Sequence, residues 1–383
     1  YDRTLEDVFA VQEDIAQNIA EVLDVVLDEA AVKRMRDAGI GDVEAFIAYQ
    51  KGNEAFDAAH TDLEHIVERL ETANRYYDQV LEVAPWLPEA RVKRAALAGQ
   101  VLFEIAAGFR PEARPGEGRE ALADLSNEYS RGWEHARTDA ERALFEAERT
   151  LFSDDWRGYP AKLDKALADD ACVPGNWIYQ LGTHFGWTDA ILRRLKTNLL
   201  CDPMSGATRM VLVQTLAWAG DGEAALEVLH EADALGVTVP FERTMRVVAM
   251  LAAGRFAGEH DASSTLPDGA LYAFDDRLLI AATRGDAESA RRLADEYRAA
   301  PGAEDWSSMV AAAVTGDRAA ANAAAARIDA RPGGPFMLAI GSEMCFCGAP
   351  FDLEATPNFR ARMQESGFPW PPRKPIEYPL KTW

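Results

Sequence analysis

Five glycines recur at nearly constant intervals through the second half of the chain. They are Gly186, Gly220, Gly254, Gly285 and Gly316, separated by 34, 34, 31 and 31 residues. Each lies between two segments with the apolar pattern of helices. A fixed period in this range is typical of stacked helical hairpins, because one hairpin buries its apolar face only against its neighbours. The spacing therefore predicts an α-solenoid, a class of fold that usually offers a groove to a partner.

Three of these glycines are followed directly by an aspartate, at Asp221, Asp286 and Asp317. A glycine can end a helix in the left-handed conformation, and an aspartate side chain can cap the start of the next helix. The pairing therefore predicts that one helix ends and the next begins within two residues. No run of alternating β-branched residues predicts a strand, so the expected fold class is all-α. From residue 160 onward the predicted helices are about 160–170, 175–185, 188–200, 205–219, 222–234, 241–253, 270–284, 286–299, 304–315 and 317–330.

Three regions follow from this pattern. Residues 1–42 are predicted to form an N-terminal linker or capping element, with an amphipathic helix over 4–28. Residues 43–331 are predicted to form the solenoid, a right-handed superhelix that starts with a hairpin at 43–59 and 63–84. Residues 332–383 are rich in proline. We expect one short helix there at about 357–366, an extended polyproline conformation over 368–372, and packing of the aromatic side chains along the solenoid.

Composition and charge exclude several classes of partner. Hydrophobic residues make up 48% of the chain, but no run approaches the 18 uncharged apolar residues typical of a membrane span. The formal net charge of −23 disfavours nucleic acid and anionic membrane surfaces as direct partners. The chain begins with Tyr1 rather than methionine, so we expect a segment of a longer protein. Both periplasm and cytoplasm stay open as compartments.

The four cysteines are expected to be reduced and structural. Cys172 and Cys201 fall near the ends of successive predicted hairpins. Equivalent positions in stacked helices lie roughly 10 Å apart, which is too far for a disulfide. Cys345 and Cys347 have no second pair of ligands with the spacing of a zinc site. We therefore expect no metal and no other cofactor.

Small residues follow three of the turn glycines at a constant offset. Ala225, Ala290 and Ala321 each lie five residues after the glycine of their turn. This pattern resembles tetratricopeptide repeats, in which that position of the second helix carries a small residue. The resemblance implies a superhelix of paired helices that binds a protein or peptide.

The same resemblance extends to the first hairpin and to the repeat ends. Ala73, Tyr77 and Pro85 match the small, aromatic and closing-proline positions of a tetratricopeptide repeat, and Pro203 matches the closing proline of a later unit. Glu259 departs from the pattern, since it occupies the small position after its glycine. We therefore expect a degenerate or missing helix at about 256–268.

The two ends of the chain are similar to one kind of bacterial multidomain protein. Residues 1–16 resemble the linker that leads from an adenylate-cyclase-like or winged-helix module, through a TolB-like region, into tetratricopeptide repeats. Residues 359–363 and 367–372 resemble the end of the same proteins. The resemblance implies a regulatory or assembly role, without cyclase activity in this part.

No catalytic motif accompanies these features. The chain contains no glycine-rich phosphate loop, no His-Glu-x-x-His zinc helix and no Gly-x-Ser-x-Gly nucleophile turn. The carboxylate pair Asp154 and Asp155 is interpreted as a helix boundary with an N-cap rather than as an acid–base pair. We therefore expect the chain not to be an enzyme.

The densest aromatic stretch of the sequence is the candidate binding site. A hairpin core and the lining of a groove that grips a peptide or an apolar ligand both fit such a stretch, since aromatic side chains are preferred anchors. Basic residues follow closely, either as a solvated helix face or as the partner of an acidic ligand group. The candidate residues are Trp177, Tyr179, His184, Phe185, Trp187, Arg193 and Arg194.

Two functions are compatible with these patterns. The favoured one is a non-catalytic protein-interaction module, a scaffold or adaptor in a bacterial signalling protein, which binds a peptide or a partner helix. The alternative is a small-molecule or peptide sensor whose aromatic pocket, around residues 177–187, regulates an upstream output domain.

Overall fold

The computed structural model describes residues 42–61, 65–168, 171–172, 175–255, 276–300, 303–344, 348–372 and 376–383. These residues form helices and connecting turns without a β-strand, which confirms the all-α class. The helix predicted over 4–28 and the degenerate helix predicted at about 256–268 lie outside the described residues. In chain order the helices are α1 (Val43–Thr61), α2 (Ile66–Val83), α3 (Pro88–Ala107), α4 (Glu117–His135), α5 (Asp139–Leu151), α6 (Tyr159–Ala166), α7 (Trp177–Gly182), α8 (Thr188–Cys201), α9 (Gly206–Ala219), α10 (Gly222–Leu235), α11 (Glu242–Ala252), α12 (Asp276–Arg284), α13 (Ala287–Ala299), α14 (Asp305–Thr315), α15 (Arg318–Asp329), α16 (Gly334–Met344) and α17 (Pro357–Ser366).

The glycine–aspartate turns have the predicted chemistry. The carboxylates of Asp221, Asp286 and Asp317 each accept a hydrogen bond from the backbone N–H three residues further on. The glycine before each aspartate has φ between 75° and 85°, a left-handed conformation that favours glycine. Each turn therefore ends one helix and caps the next, as expected from the sequence.

Helices that follow one another along the chain pack together nearly throughout. Alternate helices also touch, as α9 touches α11 and α12 touches α14. The small residues at the repeat positions, Ala73, Ala225, Ala290 and Ala321, are fully buried between helices. Their lack of a bulky side chain lets neighbouring helices approach closely.

One helix in the C-terminal region was missed by the sequence interpretation. The segment Gly334–Met344 forms α16, and its side chains from 336 to 340 are all buried. A helix that is apolar on every side has no amphipathic period from which to be recognised. The expectation of one short helix in 332–383 is therefore wrong, although α17 lies where that helix was predicted. Helix α16 contacts α3, α7 and α9, so it packs among helices that lie more than 100 residues earlier in the chain.

The C-terminal segment packs against the helices, as its aromatic residues predicted. Phe359, Phe368 and Tyr378 are buried, and the Phe368 ring stacks on the Phe185 ring at a centroid distance of 4.7 Å. Trp383 packs at the other end of the segment, against alanines of α14 and α15. The chain bends at residues 370–371, so the continuous polyproline conformation expected over 368–372 does not form.

Two cysteines contradict the expectation of reduced thiols. Cys172 and Cys201 form a disulfide with a Cα–Cα distance of 6.2 Å. Cys172 lies in the connection between α6 and α7, not at the equivalent position of a stacked helix, so the helix-packing distance does not apply. The connection approaches the last residue of α8 within the range that a disulfide needs.

The carboxylate pair at 154–155 does not cap a helix. Helix α6 begins after Gly158, whereas Asp155 accepts the backbone N–H of Arg157 at 2.9 Å. Asp154 forms an ion pair with Arg362 of α17 at 3.0 Å. The pair therefore stabilises a turn and holds the C-terminal segment, and the N-cap interpretation is wrong.

Candidate ligand-binding cavity

A cavity of about 250 Å³ lies between α1, α2, α3, α7, α8, α9, α11 and α14. Among these, α1, α3, α7, α9 and α14 are each followed by a described helix that packs against them. Aromatic rings dominate the lining, among them Tyr49, Phe56, Phe103, Trp177, Tyr179 and Trp306. Ligand sites in proteins combine such apolar walls with a few placed polar groups.

A buried carboxylate holds the helix that carries Trp177. Glu148 of α5 is fully buried, and its Oε1 accepts the backbone N–H groups of Asn176 (2.7 Å) and Ile178 (3.5 Å) at the start of α7. Burial raises the pKa of Glu148 to about 7, and these backbone N–H groups oppose the shift. The start of α7 is therefore capped by a side chain from another helix rather than by a neighbour in sequence.

The Trp177 ring is held between two helices, α3 and α16. It lies near-parallel to the Phe103 ring of α3, with centroids 6.5 Å apart, and edge-on to the Phe336 ring of α16 at 5.0 Å. A Cβ atom at Gly99 would lie 3.0 Å from Trp177 Nε1, so this glycine leaves the room that the indole occupies. The indole N–H is buried and has no hydrogen-bond partner among the described residues.

Three amide side chains add polar atoms without partners to the same side of the cavity. These are Gln180 of α7, Asn198 of α8 and Gln214 of α9, whose buried amide oxygens accept no hydrogen bond from the part of the chain that the structure describes. Asn198 Nδ2 donates a hydrogen bond to the Tyr179 hydroxyl at 3.4 Å, and this bond orients the Asn198 side chain. An unsatisfied buried polar group costs about 1–3 kcal/mol, so such groups are rare without a reason.

Few charged groups reach the cavity. Among the described residues that line it, Lys93 is cationic and Glu89 and Asp202 are anionic. The Lys93 ammonium donates to Asn53 Oδ1 at 2.8 Å and lies 5.3 Å from the centre of the Phe56 ring. Burial lowers the pKa of His60, another lining residue, which favours its neutral form. The cavity therefore offers little to balance a negatively charged ligand.

The structure divides the candidate residues predicted from the aromatic stretch. Trp177 and Tyr179 line the cavity. His184 is buried against the Trp218 ring, and burial lowers its pKa to about 3, so it stays neutral. Phe185 and Trp187 both contact Phe368 of the C-terminal segment.

The two predicted arginines also lie outside the cavity lining. Arg194 is buried and donates to the Ala166 carbonyl at 3.0 Å, which ties α8 to the end of α6. Arg193 is exposed on α8. The structure therefore does not bring these cations together with Trp177 and Tyr179.

Several cavity residues were missed by the sequence interpretation. Gln180 carried a recognisable signal, because it follows Trp177 by three residues and so shares a helix face with it. Phe103, Asn198, Gln214 and Trp306 come from four other helices. No local pattern links these positions, since only the packing of the helices brings them together.

Two further features concern the described residues only. None of their helices combines the length and apolar character required to cross a membrane. Their His, Cys, Asp and Glu side chains form no group of three or more that could hold a metal ion.

Comparison with known proteins adds no assignment: no protein-family model matches the chain, and neither do the curated proteins or the solved structures.

Proposed function

We propose that this chain is a non-catalytic ligand-binding module of a bacterial signalling protein. In this proposal the fold is a right-handed superhelix of tetratricopeptide-like hairpins. Its interior holds a small molecule or a short peptide segment and reports occupancy to an output domain. The observation that carries the proposal is the cavity, in which buried polar atoms without partners lie beside aromatic rings.

The origin of the cavity walls supports the superhelical arrangement. Most of the lining helices, namely α1, α3, α7, α9 and α14, are the first of two consecutive helices that pack together. A superhelix of hairpins places one helix of each pair on its concave side, and such concave surfaces are where solenoids bind.

A small ligand fits this interior better than a partner helix does. Helix α16 already packs against α3, α7 and α9. Arg331, just after α15, donates to the Ala106 carbonyl of α3 at 3.1 Å, which joins two helices that are far apart in sequence. A partner helix with its side chains would need a groove about 10 Å wide. Small-molecule sites have volumes of roughly 300–1,000 Å³. The volume of about 250 Å³ lies just below that range, so the cavity suits a small ligand.

A scaffold or adaptor role is the second candidate. Leu200 and Met204, near the junction of α8 and α9, have exposed fractions of 85% and 45%. Exposed apolar side chains close together in sequence are a feature of protein contact surfaces. This role would use the outer surface of the helices, so it does not require the cavity.

Filling the cavity tests the proposed function. Ala207 of α9 lines the cavity, and Ala207→Trp would occupy part of its volume. The control is Ala319→Trp, since Ala319 is exposed on α15. The three proteins are incubated with a small-molecule extract of bacterial cells and analysed by native mass spectrometry. We expect a bound species on the wild type and the control that is missing from Ala207→Trp, with helical circular dichroism unchanged. No bound species, or equal retention by all three proteins, would contradict the proposal.

A further inference from the structure

The cavity lining combines unpartnered polar atoms with aromatic rings. The unpartnered polar atoms belong to Trp177, Gln180, Asn198 and Gln214, on the neighbouring helices α7, α8 and α9. Helices α1, α3 and α14 contribute aromatic rings to the lining. A ligand that pairs with the polar atoms and also packs on the rings needs an apolar ring face and a polar edge.

From this arrangement we infer that the cavity binds an uncharged, ring-bearing molecule with several hydrogen-bonding groups on its edge. This chemistry is shared by nucleosides and neutral sugars. The inference rests on the proposed function, because it names the ligand class of the same cavity.

The amide side chains support a hydrogen-bonding edge. A carboxamide offers both donors and acceptors, and the Trp177 indole adds a donor. Gln214 is only 5% exposed, so its amide lies away from the outer surface of the protein. A ligand with hydroxyl, amino or amide groups would pair with atoms that the protein leaves unsatisfied, and such pairing favours the bound state.

The aromatic residues of the lining favour a ligand that contains a ring. Tyr49, Phe56 and Phe103 present apolar surface in the lining, and flat rings or the apolar face of a sugar pack well on aromatic side chains. A purely aliphatic ligand would leave the amides unsatisfied, and a purely polar one would leave the rings without a contact.

The charges of the cavity favour a neutral ligand. Lys93 is engaged by Asn53, and Asp202 accepts the backbone N–H of Met204 at 3.3 Å. A phosphate or carboxylate would enter beside two acidic residues, with Lys93 as the one lysine or arginine in the described lining. One lysine does not outweigh two carboxylates, so removing a further negative charge from water is unfavourable there.

The first experiment removes one amide while keeping the length of the side chain. Gln214→Met is compared with the control Gln50→Met, since Gln50 is also a buried glutamine with an unpartnered amide atom but is not among the lining residues, so only the binding measurement below should separate the two variants. We expect the melting temperature of unliganded Gln214→Met to rise above the wild-type value, because a buried unsatisfied group is lost. A lower melting temperature for Gln214→Met would show that the amide stabilises the fold, and would overturn the inference.

The second experiment measures binding by isothermal titration calorimetry with the full chain. The neutral probes are adenosine, uridine, cellobiose and N-acetylglucosamine, and the charged probes are AMP, UMP and glucose 6-phosphate. We expect millimolar or tighter binding of nucleosides or of sugars, with the charged probes about tenfold weaker or more. Gln214→Met should weaken the binding about tenfold, whereas Gln50→Met should leave it unchanged.

The pattern of binding identifies the source of the ligand and separates the two proposals. Binding of nucleosides alone or of sugars alone would decide between the two sources. If no neutral probe binds, or if a charged probe binds as well as its neutral partner, the inference is wrong. The proposed function still stands in that case if Ala207→Trp abolishes retention of a species from the cell extract, and it falls if no species is retained.

Discussion

Replacing Glu148 with glutamine tests how the buried carboxyl group at the start of α7 responds to pH. The carboxyl group is fully buried and accepts hydrogen bonds from the backbone N–H groups that begin α7. The titratable side chains that interact with it are the phenols of Tyr129, Tyr159 and Tyr179. Burial raises the pKa of all three phenols above the ordinary value, so they stay neutral through the pH range of the test. Glutamine can accept the same hydrogen bonds but cannot ionise.

The size of the effect follows from the difference in pKa between the folded and unfolded chain. Burial raises the pKa of Glu148 from 4.5 to about 7. At about 1.36 kcal/mol per pKa unit, this difference corresponds to about 3 kcal/mol of folding free energy. Because the folded pKa is the higher one, the folded state binds the proton more tightly. The stabilisation is full at acidic pH below the unfolded pKa, and it is lost as the pH rises through 7.

Urea unfolding followed by far-UV circular dichroism measures this contribution between pH 4.5 and pH 8. We expect the free energy of unfolding of the wild type, relative to Glu148→Gln, to fall by about 3 kcal/mol over this range. The control is Glu134→Gln, since Glu134 is exposed on α4, and its curve should run parallel to the wild type. If the curve of Glu148→Gln also runs parallel to the wild type, Glu148 keeps one protonation state in the folded chain and the reasoning is wrong.

Three further perturbations test packing and the disulfide. Ala225→Trp should destabilise the chain by about 1–3 kcal/mol because Ala225 is fully buried. Its control, Glu223→Ala at an exposed position, should change stability by about 0.5 kcal/mol or less. Equal melting temperatures of the two variants would contradict the repeat register. Deleting residues 357–383 should lower the melting temperature and promote aggregation, because the segment covers apolar side chains of the main hydrophobic core. A deletion variant that stays monomeric and melts at the wild-type temperature would argue against this role. Replacing both Cys172 and Cys201 with serine should lower the free energy of unfolding in urea by about 3 kcal/mol, since the disulfide closes a loop with a sequence separation of 29. No loss of stability would show that the cross-link does not constrain the unfolded chain.

Local chemistry allowed much of the helical pattern to be predicted from the sequence. The turn at Gly220 and Asp221 depends only on a backbone conformation that favours glycine and on a side chain that caps the next helix. The short helix α17 begins with Pro357, whose fixed φ suits the first turn of a helix. The burial of Ala225 follows from its place in the repeat. Each of these properties depends on residues within a few positions of one another.

The cavity and the elements that shape it required the tertiary structure. Helix α16 is apolar on every side, so its sequence has no amphipathic pattern that would predict a helix. Its Phe336 ring nevertheless packs against Trp177 and holds it in place. Cys172 reaches Cys201 because a connecting segment bends towards the end of α8, a path that cysteine spacing does not encode. Gln214 belongs to the cavity because α9 lies beside α7 and α8 in space. Contacts between distant segments depend on how the whole array of helices packs, whereas a turn or a cap depends on its immediate neighbours in the chain.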